Sequence, residues 1–138
     1  MKTALDWCLR LVLAGLLGFA GAAKLRDPAA FAADIENFHL LSPGLSALLA
    51  VYLPWLELLL AAGLLLPRWK AAAALLATAV FAVFTLAAAS AWARGLDIDC
   101  GCFGHAGAVE PLRWVMLRDA VLLAAAFRVW RRAERNSA

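Results

Sequence analysis

The sequence predicts an all-α fold: a polytopic membrane four-helix bundle with a short amphipathic surface helix between helices 1 and 2. Three observations predict it. Of 138 residues, 65% are hydrophobic and 17% charged, and the mean hydropathy is +0.80, far from the roughly half-apolar make-up of a soluble domain. Apolar stretches long enough to cross a hydrocarbon core of about 30 Å recur along the chain. The polar residues collect between those stretches. The whole chain, 1–138, therefore reads as a single integral membrane domain, with helices over about 7–25, 45–66, 71–93 and 114–130 and a loop over about 94–113.

Each element follows from its residues. The first apolar run, 11–23, is short and becomes a full span when Trp7, Cys8 and Arg10 are included, with Cys8 read as a buried apolar residue. Lys2, the apolar run and Ala20-Gly21-Ala22-Ala23 also resemble a cleaved signal peptide, but Asp6 and Arg10 interrupt that pattern. Next, Asp27 is a natural N-cap and Pro28 suits a first helical turn. Phe31, Ile35 and Phe38 recur at helical spacing, with Asp34, Glu36 and Asn37 on other faces, so a short helix on the outer membrane surface is expected. Ser42-Pro43-Gly44 then breaks the chain before the second span, which carries one charge, Glu57. The third span has no charge and only Thr78, Thr85 and Ser90 as polar residues. The fourth contains Arg118 and Asp119, about 100° apart around the helix and not required to pair. It spans if Arg118 and Arg128, like Arg10 in the first helix, reach the headgroups along their apolar stems.

Basic residues orient the bundle. Lys2, Arg68, Lys70, Arg128, Arg131, Arg132 and Arg135 fall on one side, and Lys24, Arg26, Arg94 and Arg113 on the other. The richer side is expected to be cytoplasmic. In a bacterial inner membrane this multi-pass arrangement puts both termini in the cytoplasm and the 94–113 loop in the periplasm. The basic residues flank apolar helices and read as forming no stripe of their own, so the net charge of +3 reflects topology and not nucleic-acid binding.

The loop carries the chemistry. Asp97-Ile98-Asp99-Cys100-Gly101-Cys102-Phe103-Gly104-His105 is the chemically competent stretch between two long apolar segments. In an oxidising compartment Cys100 and Cys102 could pair, with Gly101 supplying the backbone freedom that so small a ring needs. A disulfide of that kind is expected to be exchangeable rather than a staple. Asp97 and Asp99 disfavour a thiolate, whereas Arg94 and His105 favour one. The surface helix falls on the same side, where Phe38 and His39 either lie over the cysteines or only anchor the helix. A copper or zinc site from Cys100, Cys102, His105 and neighbouring Asp97, Asp99 or His39 is the competing chemistry, although the spacing is poor for structural zinc. Two small cysteines that merely cap a helix pair are the bland alternative. Glu57, about a turn beyond Pro54, is costly in a bilayer and should face inward and be paired or protonated. Arg10, Arg118 and the loop arginines are its expected partners; its role is either proton relay or quinone contact, or a structural hydrogen bond.

These elements resemble a known family, the DoxX-like membrane proteins, and within it the MauE type of methylamine utilisation. The likeness lies in Gly18 to Pro28 with Phe31, in Leu53-Pro54-Trp55-Leu56-Glu57, and in Asp99-Cys100-Gly101-Cys102-Phe103-Gly104, and covers about 7–130. The resemblance implies an inner-membrane protein that supports periplasmic thiol–disulfide exchange and the maturation of a disulfide-containing client, such as the methylamine dehydrogenase small subunit, beside a thioredoxin-like partner. It implies Cys100 and Cys102 as the redox pair, supported by Glu57. Whether the chain is itself a thiol–disulfide oxidoreductase is left open, because no second cysteine pair is present to relay electrons. A quinone, by analogy with other four-helix thiol oxidoreductases, is the candidate cofactor. The rival reading is a non-catalytic membrane scaffold or a metal-handling protein.

Overall fold

The computed structural model describes residues 2–96 and 111–136. Within them the chain is all helical: α1 (Lys2–Arg26), α2 (Pro28–Asn37), α3 (Pro43–Leu65), α4 (Lys70–Ala93) and α5 (Leu112–Arg135). Three of these, α1, α3 and α4, are long and apolar enough to cross a membrane. Their outward faces carry Leu48, Leu59, Val83 and Leu86, all exposed. A water-soluble protein rarely displays so much contiguous apolar surface. The chain is a membrane protein, and those faces meet lipid.

Local chemistry sets the breaks. Asp27 caps α2, its Oδ1 accepting from the Ala30 N–H at 3.0 Å, and Pro28 sits in the first turn. The chain leaves α2 through Phe38 and His39, the latter in the left-handed region at φ 52°. Extended Ser42 then leads into Pro43 at the start of α3. The proline expected to break the chain thus opens the next helix.

Helix packing forms a ring of contacts: α1 against α3 and α5, α4 against α3 and α5. Small residues allow the close approaches. A Cβ on Gly21 of α1 would lie 2.8 Å from the Pro54 carbonyl oxygen of α3, and one on Gly63 of α3 would lie 2.9 Å from the Ala73 Cβ of α4. The buried face of α5 is Leu112, Val115, Asp119, Leu122, Ala126, Val129 and Ala133, alternating steps of three and four residues. That is the heptad spacing of knobs-into-holes packing, with Asp119 as its polar member. The core between the helices is built from Leu13 and Leu17, Leu60 and Leu64, Ala77 and Phe81, and Leu122 and Val129.

Three sequence expectations are corrected here, and one pairing left open is decided. Cys8 is exposed on α1, because it lies off the face formed by Arg10, Ala14, Leu17, Gly21 and Lys24. Asp34 is buried together with Phe31, since α2 packs along α3 and that contact covers both. Arg10 is 3% exposed and does not reach outward. Its Nε donates to the Leu64 carbonyl at 2.7 Å, satisfying a C-terminal carbonyl of α3 that has no partner within its helix, and its guanidinium lies 4.4 Å from the Trp7 ring centroid. Arg118 and Asp119 do pair, Nε to Oδ1 at 3.3 Å. The long arginine stem wraps around the helix, which the 100° separation of the Cα–Cβ bonds does not prevent.

Candidate functional site

Glu57 is buried in α3 and its partner is Lys24, in the last turn of α1. The Lys24 Nζ donates to Glu57 Oε1 at 2.6 Å, with side chains 1% and 2% exposed. The ammonium also lies 4.9 Å from the Phe31 centroid on α2 and 5.1 Å from the Phe84 centroid on α4. Both ring faces attract a desolvated cation. One lysine therefore ties α1, α2, α3 and α4 together, bridging α1 and α4 where their backbones do not come into contact. Neither Arg10 nor Arg118 fills this role.

The geometry follows from local sequence. Gly21, one turn before Lys24, lets α1 lie against the Pro54–Glu57 turn of α3, so a long side chain from position 24 reaches the carboxylate. A small cavity of about 20 Å³ opens beside the pair, lined by Lys24, Glu57, Asp119, Phe81 and Phe84 among others. That is room for about one water. Glu57 Oε2 has no protein partner, so a water there would meet polar groups from three helices. The cavity is far below the roughly 300 Å³ of a small-molecule pocket.

A second set of contacts lies at the other end of α2. Ala88, Ala91 and Leu112 are buried together, with Phe38, Leu96 and Met116 packed on them. The Arg94 guanidinium donates to the Phe38 carbonyl at 2.5 Å. The helix ends that flank residues 97–110 are thus gathered against the C-terminus of α2. His39, the next residue, is exposed in a cleft with Glu36, Asn37 and Pro43. The helix α2 runs between the two places: Phe31 touches the buried ion pair and Phe38 touches the loop ends. Cys100, Cys102, Asp99 and His105, with Asp97, lie outside the described residues.

Glu57 and His39 line different cavities and are not brought together. Lys24 is what sequence reasoning missed, because a lysine two residues from a helix end reads as a topology marker. The available signal was the need of one intramembrane carboxylate for a counter-charge, combined with Gly21 a turn away. The arginines at the end of α5 also depart from expectation. Arg128, Arg131, Arg132 and Arg135 fall at i, i+3, i+4 and i+7 and, with Phe127, line one cleft. Among the described residues no three His, Cys, Asp or Glu side chains gather as they would around a metal ion.

Comparison with known proteins identifies a family. Residues 2–131 match the family model of the methylamine utilisation protein MauE. The chain is 38% identical over 125 residues to the methylamine utilization protein MauE of Paracoccus denitrificans, an alignment covering 89% of this chain and 67% of that one. It is 43% identical over 124 residues to the MauE of Paracoccus versutus, covering 88% and 66%. With the MauE of Methylorubrum extorquens it shares 41% identity over 121 residues, covering 86% and 64%. The chain thus spans about two thirds of the length of these relatives. No solved structure matches it. With the match running from α1 almost to the end of α5, and so taking in the buried Lys24–Glu57 pair and the Cys-Gly-Cys segment alike, the chain belongs to the MauE family.

Proposed function

We propose that this protein is a membrane accessory factor of methylamine utilisation whose Cys100-Gly101-Cys102 segment exchanges disulfides with a periplasmic thioredoxin-like protein or a disulfide-containing client. The client class that fits is the small subunit of methylamine dehydrogenase. In this reading α1, α3, α4 and α5 form a four-helix bundle in the bacterial inner membrane, α2 is the amphipathic helix at its outer interface, and both termini are cytoplasmic. One thiolate attacks the partner's disulfide, forming a mixed disulfide and releasing one partner thiolate. The second thiol, once deprotonated, attacks the sulfur of the first cysteine; the partner leaves as a dithiol and Cys100–Cys102 as the disulfide. The reverse sequence donates a disulfide to the client. Asp99, His105 and His39 are the supporting groups of the loop, and Glu57 with Lys24 holds the bundle beneath it.

The observation that carries this reading is the MauE relationship over most of the chain. The packing of Leu96, Leu112 and Phe38 supports it, since the residues on either side of the segment that carries the thiols are held together. A second reading, a scaffold or a copper- or zinc-handling protein, is favoured by the cysteine inventory: three cysteines leave no second pair for electron relay.

The test is the redox state of the pair in intact cells, trapped by acid and read with a bulky membrane-impermeant maleimide on a Cys8→Ala background. Labelling of Cys100 and Cys102 only after reduction is the expected result. Direct labelling of both would shift the assignment to metal binding or a reductant. No labelling of spheroplasts even after reduction would overturn the topology. Serine at both positions should abolish disulfide transfer while leaving membrane insertion intact; full retention of transfer would leave the scaffold.

A further inference from the structure

The last two turns of α5 hold a feature that thiol chemistry does not use. Arg128, Arg131, Arg132 and Arg135 share one helix face and, with Phe127, line an open cleft of about 370 Å³. Arg128, Arg131 and Arg135 are exposed and Arg132 is half-buried. The Arg131 guanidinium lies 5.9 Å from the Phe127 centroid, so the basic wall borders an apolar one. Glu134, the acid of this stretch, does not line the cleft.

The position in the fold says what could enter. Ala88 and Ala91 near the end of α4 pack with Leu112 at the start of α5, so the two helices run antiparallel, and Val129 is buried in the cluster that holds Ala73 and Ala74 in the first turns of α4. At the same rise per residue along both helices, the arginines come level with the first turns of α4, where its apolar span begins after Lys70. That is the depth of lipid headgroups. Guanidinium groups bind phosphate oxygens through two parallel N–H donors, and a juxtamembrane arginine cluster attracts anionic lipid. Dipole compensation at a helix C-terminus needs only a charge or two in the last turn. It does not require four arginines in register around a cleft with an aromatic edge.

We infer that Arg128, Arg131, Arg132 and Arg135 with Phe127 form a binding site for the phosphodiester headgroup of an anionic phospholipid, the ring flanking the start of an acyl chain. The site lies at the end of α5 away from Leu112, and its assignment is independent of the thiol chemistry.

The experiment compares phosphatidylglycerol with phosphatidylcholine retained on the full chain, purified from mixed vesicles in mild detergent and read by native mass spectrometry. Arg128→Gln/Arg131→Gln removes two exposed charges from the cleft. Arg26→Gln/Arg113→Gln removes two exposed charges from the other end. At about fivefold per arginine, the first variant should lower the phosphatidylglycerol preference roughly 25-fold and the second should leave it within twofold. Should the double variant fail to fold, Arg131→Gln alone should lower it about fivefold. Equal losses in both double variants would mean that net charge, not the cleft, attracts the lipid. An unchanged preference, or complete displacement of the lipid by millimolar inorganic phosphate, would likewise overturn the assignment.

Discussion

Lys24 and Glu57 are the residues whose environment most restricts what they can be. Each is almost wholly buried and hydrogen-bonded to the other at 2.6 Å, and taking two charges out of water is favourable only when they meet in good geometry. Removing one partner strands the other. Lys24→Met should therefore destabilise the protein by about 3–5 kcal/mol, read as the shift of the unfolding midpoint in a denaturing-detergent titration. Lys24→Met/Glu57→Leu should recover most of that loss, because a well-packed apolar pair has no charge to desolvate. A double variant no better than the single one would show that the pair does something apolar packing cannot replace. The aromatic contacts of Lys24 argue that part of the loss is cationic: Phe31 and Phe84 both approach the ammonium. In the sequence Glu57 was legible as a carboxylate in need of a partner, but Lys24 was not legible as that partner. Pairing across 33 positions depends on how closely α1 and α3 approach, which no local pattern encodes.

At the scale of elements, the approach of α1 to α3 rests on Gly21. Valine there would drive carbons into the Pro54 carbonyl and the Leu58 side chain; overpacking of this kind costs about 1–3 kcal/mol. Gly15, where an added Cβ would meet nothing within 4 Å, provides the contrast. Gly15→Ala should be neutral or stabilising by up to about 1 kcal/mol through helix propensity. The same titration separates the two, and equal destabilisation would mean that the close approach does not govern the packing. The cap of α2 is testable separately. Asp27→Ala removes the acceptor for the Ala30 N–H and should cost about 1 kcal/mol, with hydrogen exchange rising first in the opening turn of α2. Helix α2 itself was legible from Asp27, Pro28 and the spacing of its phenylalanines. Its buried Asp34 was not, because a solvated face can be inferred only for a helix with one neighbour, and α2 packs against both α3 and α1.

For the whole molecule, composition and segment length determined the class: an all-helical membrane protein with apolar spans separated by short polar links. Those properties follow from the cost of unpaired backbone groups in hydrocarbon, which makes any sufficiently long apolar segment helical whatever it packs against. The charge distribution, the Pro54-to-Glu57 element and the Cys100-Gly101-Cys102 motif were likewise present in the linear order of residues, and they pointed to the MauE family before any contact was known. Tertiary structure alone decided the contacts. It paired Glu57 with Lys24 rather than with an arginine and turned Arg10 inward onto the last turn of α3. It also ran α2 from the buried ion pair to the helix ends that flank the cysteine segment. The reason is physical: hydrophobicity and propensity are properties of single residues and short windows, whereas a partner is chosen by distances among side chains remote in sequence, settled only when the helices have packed.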